Sequence, residues 1–291
     1  MQGVVSIVFN PVSGKGTSRR YAELLGAELS AKGFTPKLCE SKLAYQESDY
    51  RDYLGEACAV IVCGGDGTVV GLLDGLSRFA KPFSMLPTGN QSLFARHFGM
   101  SLNIKAAVAA IERNAPKPHF YRTLNGKPFF HMASVGIDSE VVKLLSTHRT
   151  GPVGNIGYVL PLMKVLLSYR PQPMWIEGES GEVVSGVTGY AICGGTSQYA
   201  LGLRFLPEAR STEARLCARF FPCRTRFGAV SVLLGVLCRR LGHGRFFAGS
   251  VLRIRGSEDA SPPAVQADGE YMGELPIEIK TAEKPVWVLA P

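Results

Sequence analysis

Three short apolar runs, Val4–Phe9, 59–63 and 83–86, each lead into a turn of small residues. The run 59–63 is apolar at every position and the other two carry a single serine each, so none has a face for water. Each therefore predicts a strand buried on both sides, as in a parallel sheet. Helical signals lie between them. Ser18 opens a segment with Tyr21, Leu24, Leu25 and Leu29 on one face, and Gly33 closes it. A further strand is expected over 35–39, a helix from Thr68 to about Ser77, and short helices over 92–98 and 104–113. Strand and helix in alternation imply a parallel sheet with helices on both faces.

The pattern changes at Pro116-Lys117-Pro118. Beyond it, Asn125-Gly126 separates two strand-like runs, the strongest short hairpin signal. Antiparallel strands are expected over 174–179, 183–194, 214–221, 246–255, 275–281 and 286–289, with helices over 156–169 and 226–240. The chain of 291 residues has room for two domains. The expected fold is a Rossmann-like α/β domain over 1–118, followed by a mainly antiparallel β-sandwich domain over 119–291.

The net charge of +8 favours an anionic partner, whether nucleotide, nucleic acid or membrane. No nucleic-acid motif accompanies the charge, so that partner is not expected. Eleven arginines fall between Arg204 and Arg255, against two acids, Glu208 and Glu213. The apolar stretch 228–238, with Arg239-Arg240 after it, reads either as a core helix with a solvated basic end or as an interfacial helix. No apolar run reaches the roughly 18 residues of a membrane span, and Met1 leads into the first strand without the pattern of a secretory leader. The seven cysteines form no C-x-x-C pair and are odd in number. They read as small buried hydrophobes in a reducing compartment.

Chemistry concentrates at four turns. Asn10-Pro11-Val12-Ser13-Gly14-Lys15-Gly16 joins the first strand to the first helix, where backbone N–H groups and a helix N-terminus can meet an anion. It is neither a P-loop nor a dinucleotide fingerprint, because Phe9 and Arg19 stand where those patterns need glycine. Gly64-Gly65-Asp66-Gly67-Thr68 sets glycines around a carboxylate at a strand end, which suits phosphate approach and Mg²⁺ ligation by Asp66. Leu86-Pro87-Thr88-Gly89-Asn90 is a third loop at the same expected edge. Asp268-Gly269-Glu270 is either a hairpin turn with solvated acids or a carboxylate pair for proton abstraction or metal binding.

In this order, together with Phe94-Ala95-Arg96 and Ser134-Val135-Gly136-Ile137-Asp138, these motifs resemble the diacylglycerol kinase catalytic family, which includes sphingosine and ceramide kinases. The resemblance spans almost the whole chain. It implies a cytoplasmic enzyme, peripheral to the inner face of an anionic membrane, with ATP and Mg²⁺ in an interdomain cleft and a lipid as substrate. By this resemblance Asn10, Ser13, Gly14, Lys15, Gly16, Gly64, Gly65, Gly67, Thr68, Gly89 and Asn90 hold the nucleotide and Asp66 organises the metal. Glu270 is the base, and Asp268 supports it or the metal. The sequence also departs from the family. Val70 and Gly71 replace the Asn and Glu that usually follow G-G-D-G-T. Gly89-Asn90-Gln91-Ser92-Leu93 replaces G-T-x-N-D. In 207–214 only Glu213 keeps a carboxylate of the pair linked to a structural Mg²⁺ in some members. A non-catalytic nucleotide- or lipid-binding protein and an NAD kinase-like enzyme are the competing readings. A homodimer is left open.

Overall fold

The computed structural model describes residues 3–89, 92–148, 159–197, 203–242 and 244–291. In chain order its strands and α-helices begin β1 (Val4–Phe9), α1 (Ser18–Ala31), β2 (Thr35–Glu40), α2 (Glu47–Leu54), β3 (Ala57–Gly64), α3 (Asp66–Arg78), β4 (Pro82–Pro87), α4 (Leu93–His97), α5 (Ile104–Arg113) and β5 (Lys117–His119). They continue β6 (Arg122–Leu124), β7 (Lys127–Phe129), β8 (Met132–Val135), α6 (Ile137–His148), α7 (Val159–Ser168), β9 (Pro173–Gly178), β10 (Gly181–Gly194), β11 (Leu216–Pro222) and α8 (Arg226–Leu237). The last strands are β12 (Arg245–Gly249), β13 (Val251–Gly256), β14 (Ala264–Ala267), β15 (Glu270–Glu274), β16 (Ile277–Thr281) and β17 (Val286–Val288).

The chain divides into two compact units, Met1–Phe120 with Glu283–Pro291, and Tyr121–Ala282. The first holds a six-stranded sheet in the order β2-β1-β3-β4-β17-β5. All neighbours run parallel except β17 with β5. The strand order reverses at β1, because β2 lies on one side of it and β3 on the other. In open α/β sheets such a switch point opens a crevice at the carboxyl ends of the strands. Residues 283–291, assigned from sequence to the second domain, belong to this unit. The Trp287–Val288 backbone pairs with β4 and with β5, which satisfies main-chain groups that β4 would otherwise leave unpaired.

One face of the sheet is covered by α1 and α5. Helix α1 buries Ala22, Leu25 and Leu29 against Val5, Ile7 and Ile61. Leu24, expected on the buried face, is half exposed, and Ala22 and Gly26 take its place in the interface. Small residues thus share the interface with Leu25 and Leu29.

In the second unit every strand pairing is antiparallel. The 14-residue β10 is shared by both halves of the sheet. Its first half pairs with β9, and its second half lies between β8 and β11. A register shift between Val184 and Val187, around Gly186 at φ 61°, bends the strand there. One curled sheet consequently encloses a core that a sandwich would build from two. Ile176, Leu252, Ile254 and Ile279 of one half meet Val135, Ala218, Phe220 and Val265 of the other. Tyr190 and Ile192 alternate with Ala191 and Cys193, pointing instead into a second cluster with Val141, Val165 and Val236 of the helices. Both faces of this part of the sheet are buried. Burial pushes the Cys193 thiol up to about 12, as for an inert core residue.

His119 is buried in the first unit, with its ring edge-on to Phe98 at 4.7 Å. Desolvation, and secondarily the charge of Lys117, lower its pKa from 6.5 to about 4. The unfolded chain therefore binds the proton more readily. Stability is full above pH 6.5 and is lost as pH falls through that value towards 4. Urea titrations at pH 7.5 and pH 4.5 are expected to show this loss, about 1–2 kcal/mol from His119 after solvent screening. The variant His119→Gln should lose that much less.

Candidate active site

The carboxyl ends of β1, β3 and β4 bring three of the sequence-predicted loops together. The sheet ladder continues one residue beyond the strands, with Asn10 N–H donating to Cys63 O (3.0 Å) and Thr88 N–H to Gly64 O (3.1 Å). Side chains then cross between the loops. Asn10 Nδ2 donates to Thr68 Oγ1 (3.3 Å), and Thr88 Oγ1 donates to Ser13 Oγ (3.2 Å). The Ser13–Gly16 segment forms a single 3₁₀ turn. Gly14, at φ 60°, lies so close to the Thr88 carbonyl that a Cβ there would collide with it. The backbone of Lys15 lies in this turn, while Asn90 falls outside the described residues.

The glycines of the second loop have two different causes. A Cβ on Gly64 would run into the Thr68 side chain, and one on Gly89 would press on the Gly65 Cα at 3.3 Å. Packing requires these two. Gly65 and Gly67 are different: a Cβ on either meets nothing within 4 Å, and neither has a positive φ. Nothing in the fold calls for glycine there. Both stand at the first turn of α3, where N–H groups and the helix dipole attract an anion. Bare backbone at that place lets an anion approach closely.

Asp66 does something the sequence did not disclose. One of its oxygens accepts from Ser92 Oγ (2.9 Å) and Phe94 N–H (2.9 Å), and the other accepts from Leu93 N–H (2.8 Å). It thereby caps α4 from another segment and holds the β4–α4 connection against α3. Ser92, at the N-cap, also accepts from Ala95 N–H at 3.1 Å.

In the second unit, Asp268 and Gly269 are the two loop residues of the β14–β15 hairpin, at φ 50° and 82°. This is the Asp-Gly pairing of a type I′ turn. The two acids of the turn differ in placement. The Asp268 carboxylate is enclosed and accepts from Phe130, His131 and Met132 N–H at 2.7, 2.9 and 3.0 Å. Burial raises its pKa, against the opposing pull of His131 and of these three donors. Asp268 therefore holds the turn in place through these three donors. Glu270, at the start of β15, is exposed.

Behind the turn lies a polar cluster. Gly269 N–H donates to Gln266 Oε1 (2.9 Å), and Gln266 Nε2 donates to Ser134 Oγ (2.6 Å). Ser134 Oγ and Tyr190 OH both donate to Asp138 Oδ2, at 2.7 and 3.3 Å. Ser134 and Asp138 stood in a motif whose role could not be read from sequence. Tyr190 lay within the strand expected over 183–194 and Gln266 just before the Asp268-Gly269-Glu270 turn, and their spacing alone carried no sign of a partnership.

Residues 4–120 match the diacylglycerol kinase catalytic domain. These residues are a domain of the diacylglycerol kinase catalytic family. A diacylglycerol kinase from Mycobacterium tuberculosis (strain ATCC 25618 / H37Rv) is 27% identical over 99% of this chain and 96% of its own length. One from Staphylococcus carnosus (strain TM300) is 25% identical over 98% and 94%. A crystal structure of a diacylglycerol kinase from Bacillus anthracis str. Sterne covers 100% of this chain and 97% of that one, with a TM-score of 0.69 at 16% identity. That likeness is one of fold.

A family kinase would use ATP with Mg²⁺, and the residues can be tested for the ion. Among the described residues no three His, Cys, Asp or Glu side chains cluster. Both oxygens of Asp66 are already engaged. Glu213 pairs with Arg215 at 3.0 Å, and its carbonyl accepts from the buried Arg122 guanidinium at 3.3 Å. Neither place fits a protein-caged cation, and the structural metal implied for Glu213 is not supported.

Two outcomes follow for the α3 N-terminus and the hairpin. Gly67→Ala should leave the melting temperature equal or slightly higher, because alanine suits a helix better. It should also weaken ATP binding at least about tenfold by calorimetry, since a methyl group would occupy the approach to the α3 N-terminus. Asp268→Ala strands three N–H donors and should lower stability by about 3 kcal/mol in urea denaturation.

Proposed function

We propose that the protein is an ATP-dependent lipid kinase that transfers the γ-phosphate to the hydroxyl of diacylglycerol or a related lipid. The observation that carries the reading is the pair of glycines, Gly65 and Gly67, that the fold itself does not need. They bare the α3 N-terminus at the switch point of a parallel sheet. A triphosphate is the ligand whose charge and bulk suit such a place. Asn10, Ser13, Gly14, Gly16, Thr68 and Gly89 shape the rest of this phosphate cradle. Magnesium is then a companion of the nucleotide phosphates, without a dedicated cage of side chains.

Glu270 is the general base in this reading. It is exposed, and it directly follows a two-residue turn that Asp268 fixes through three backbone hydrogen bonds. The carboxylate takes the proton of the lipid hydroxyl as its oxygen bonds to the γ-phosphorus. The bond to the departing ADP breaks, and the proton then passes to water.

Transfer of labelled γ-phosphate from ATP to diacylglycerol in mixed micelles tests the proposal. Glu270→Gln is expected to lower kcat by on the order of 10²–10⁴-fold with an unchanged urea midpoint. Wild-type turnover in that variant would remove Glu270 from the mechanism. ATP binding without transfer across a lipid extract would support the non-catalytic reading, and conversion of NAD to NADP the NAD kinase-like one.

A further inference from the structure

Helices α7 and α8 are almost wholly apolar in sequence, and such helices are normally covered on every side. Here each is covered on one side only. Val165 of α7, with Ala229 and Val236 of α8, packs into the helical cluster over the curled sheet. On the open side, Leu160, Met163 and Leu167 of α7 and Phe227, Leu234 and Leu237 of α8 are 55–74% exposed. Their spacing makes one ridge on each helix. The helices are tied together where Arg226 donates to the Leu167 carbonyl at 2.5 Å.

The charge around these ridges has one sign. Lys164, Arg170, Arg224, Arg226, Arg239 and Arg240 lie on or beside them, and neither 159–170 nor 223–242 contains an acid. Among the described residues none of these six cations forms an ion pair. No helix of the described residues is long and apolar enough to cross a membrane.

We infer that the α7–α8 face docks on an anionic lipid bilayer. The apolar ridges enter the boundary between headgroups and acyl chains, and the flanking cations meet lipid phosphates. A second copy of the chain fits this face poorly, because a two-fold contact would bring six cations against six. Nucleic acid would satisfy the cations but leave the ridges in water. The inference is independent of phosphoryl transfer, since the face binds bilayer whether or not the protein is a kinase.

Co-sedimentation of the full chain with vesicles tests it. One set contains phosphatidylcholine and phosphatidylserine at about two to one, the other phosphatidylcholine alone. Binding is expected on the anionic set and should weaken as salt rises from about 0.1 M to about 0.5 M. Leu234→Asp with Leu237→Asp should reduce it at least about tenfold, and Arg224→Gln, Arg239→Gln and Arg240→Gln together roughly 100-fold. Melting temperatures, and any transfer to a water-soluble short-chain lipid, should stay at wild-type values. Equal vesicle binding by wild type and variants would overturn the inference. So would a dimer in sedimentation equilibrium that these substitutions dissolve. Loss of transfer to the soluble lipid in Glu270→Gln, with vesicle binding intact, would separate the two readings.

Discussion

The edge of the first sheet that carries the three glycine-containing loops depends on main-chain hydrogen bonds that outlast the strands. Asn10 to Cys63 and Thr88 to Gly64 extend the parallel ladder by one residue past β1 and β4. Three loops therefore leave the sheet at one level, and side-chain bonds from Asn10 and Thr88 can span them. Because β1 is the switch point, its loop and the one after β3 diverge to helices without blocking the crevice. Asp66 completes the edge by capping α4, so a departure in the loop after β4 is felt at α3.

The same logic holds in the second unit with different parts. A bend in β10 lets one sheet close over its own core. The strands at that core also carry helices on their outer face, and the β14–β15 turn is fixed from beneath. A buried carboxylate is tolerated there because three N–H donors offset its lost hydration. One acid is spent on rigidity, and its neighbour two residues on is left accessible. Among the described residues of this unit, the exposed apolar ridges of α7 and α8 are the one large departure from ordinary burial.

Much of the fold was legible in the sequence because its signals are local. Apolar runs gave the buried strands, and Asn125-Gly126 gave a hairpin that forms with both residues at positive φ. The run over 246–255 was read as one strand and is two, divided at Ser250, because a polar residue between apolar ones looks like ordinary alternation. Helix α6 was missed, since Ser134–Asp138 drew notice as a motif rather than as the approach to a helix. In the first unit α2 was also missed. Its apolar face is two tyrosines and a leucine among acids and arginine, which carries little periodic signal.

The sequence by itself settled where the backbone must turn tightly and which runs cannot face water. These follow from sterics and hydration within a few residues. Tertiary structure alone decided which of two neighbouring acids is enclosed, what Asp66 grips and which sheet receives the last strand. Asp268 is held by donors some 137 residues away, and Val286 pairs with His119. Only folding brings such partners within hydrogen-bonding range. It also decided which side of α7 and α8 stays open, because a helix apolar all round carries no mark of which side will be covered.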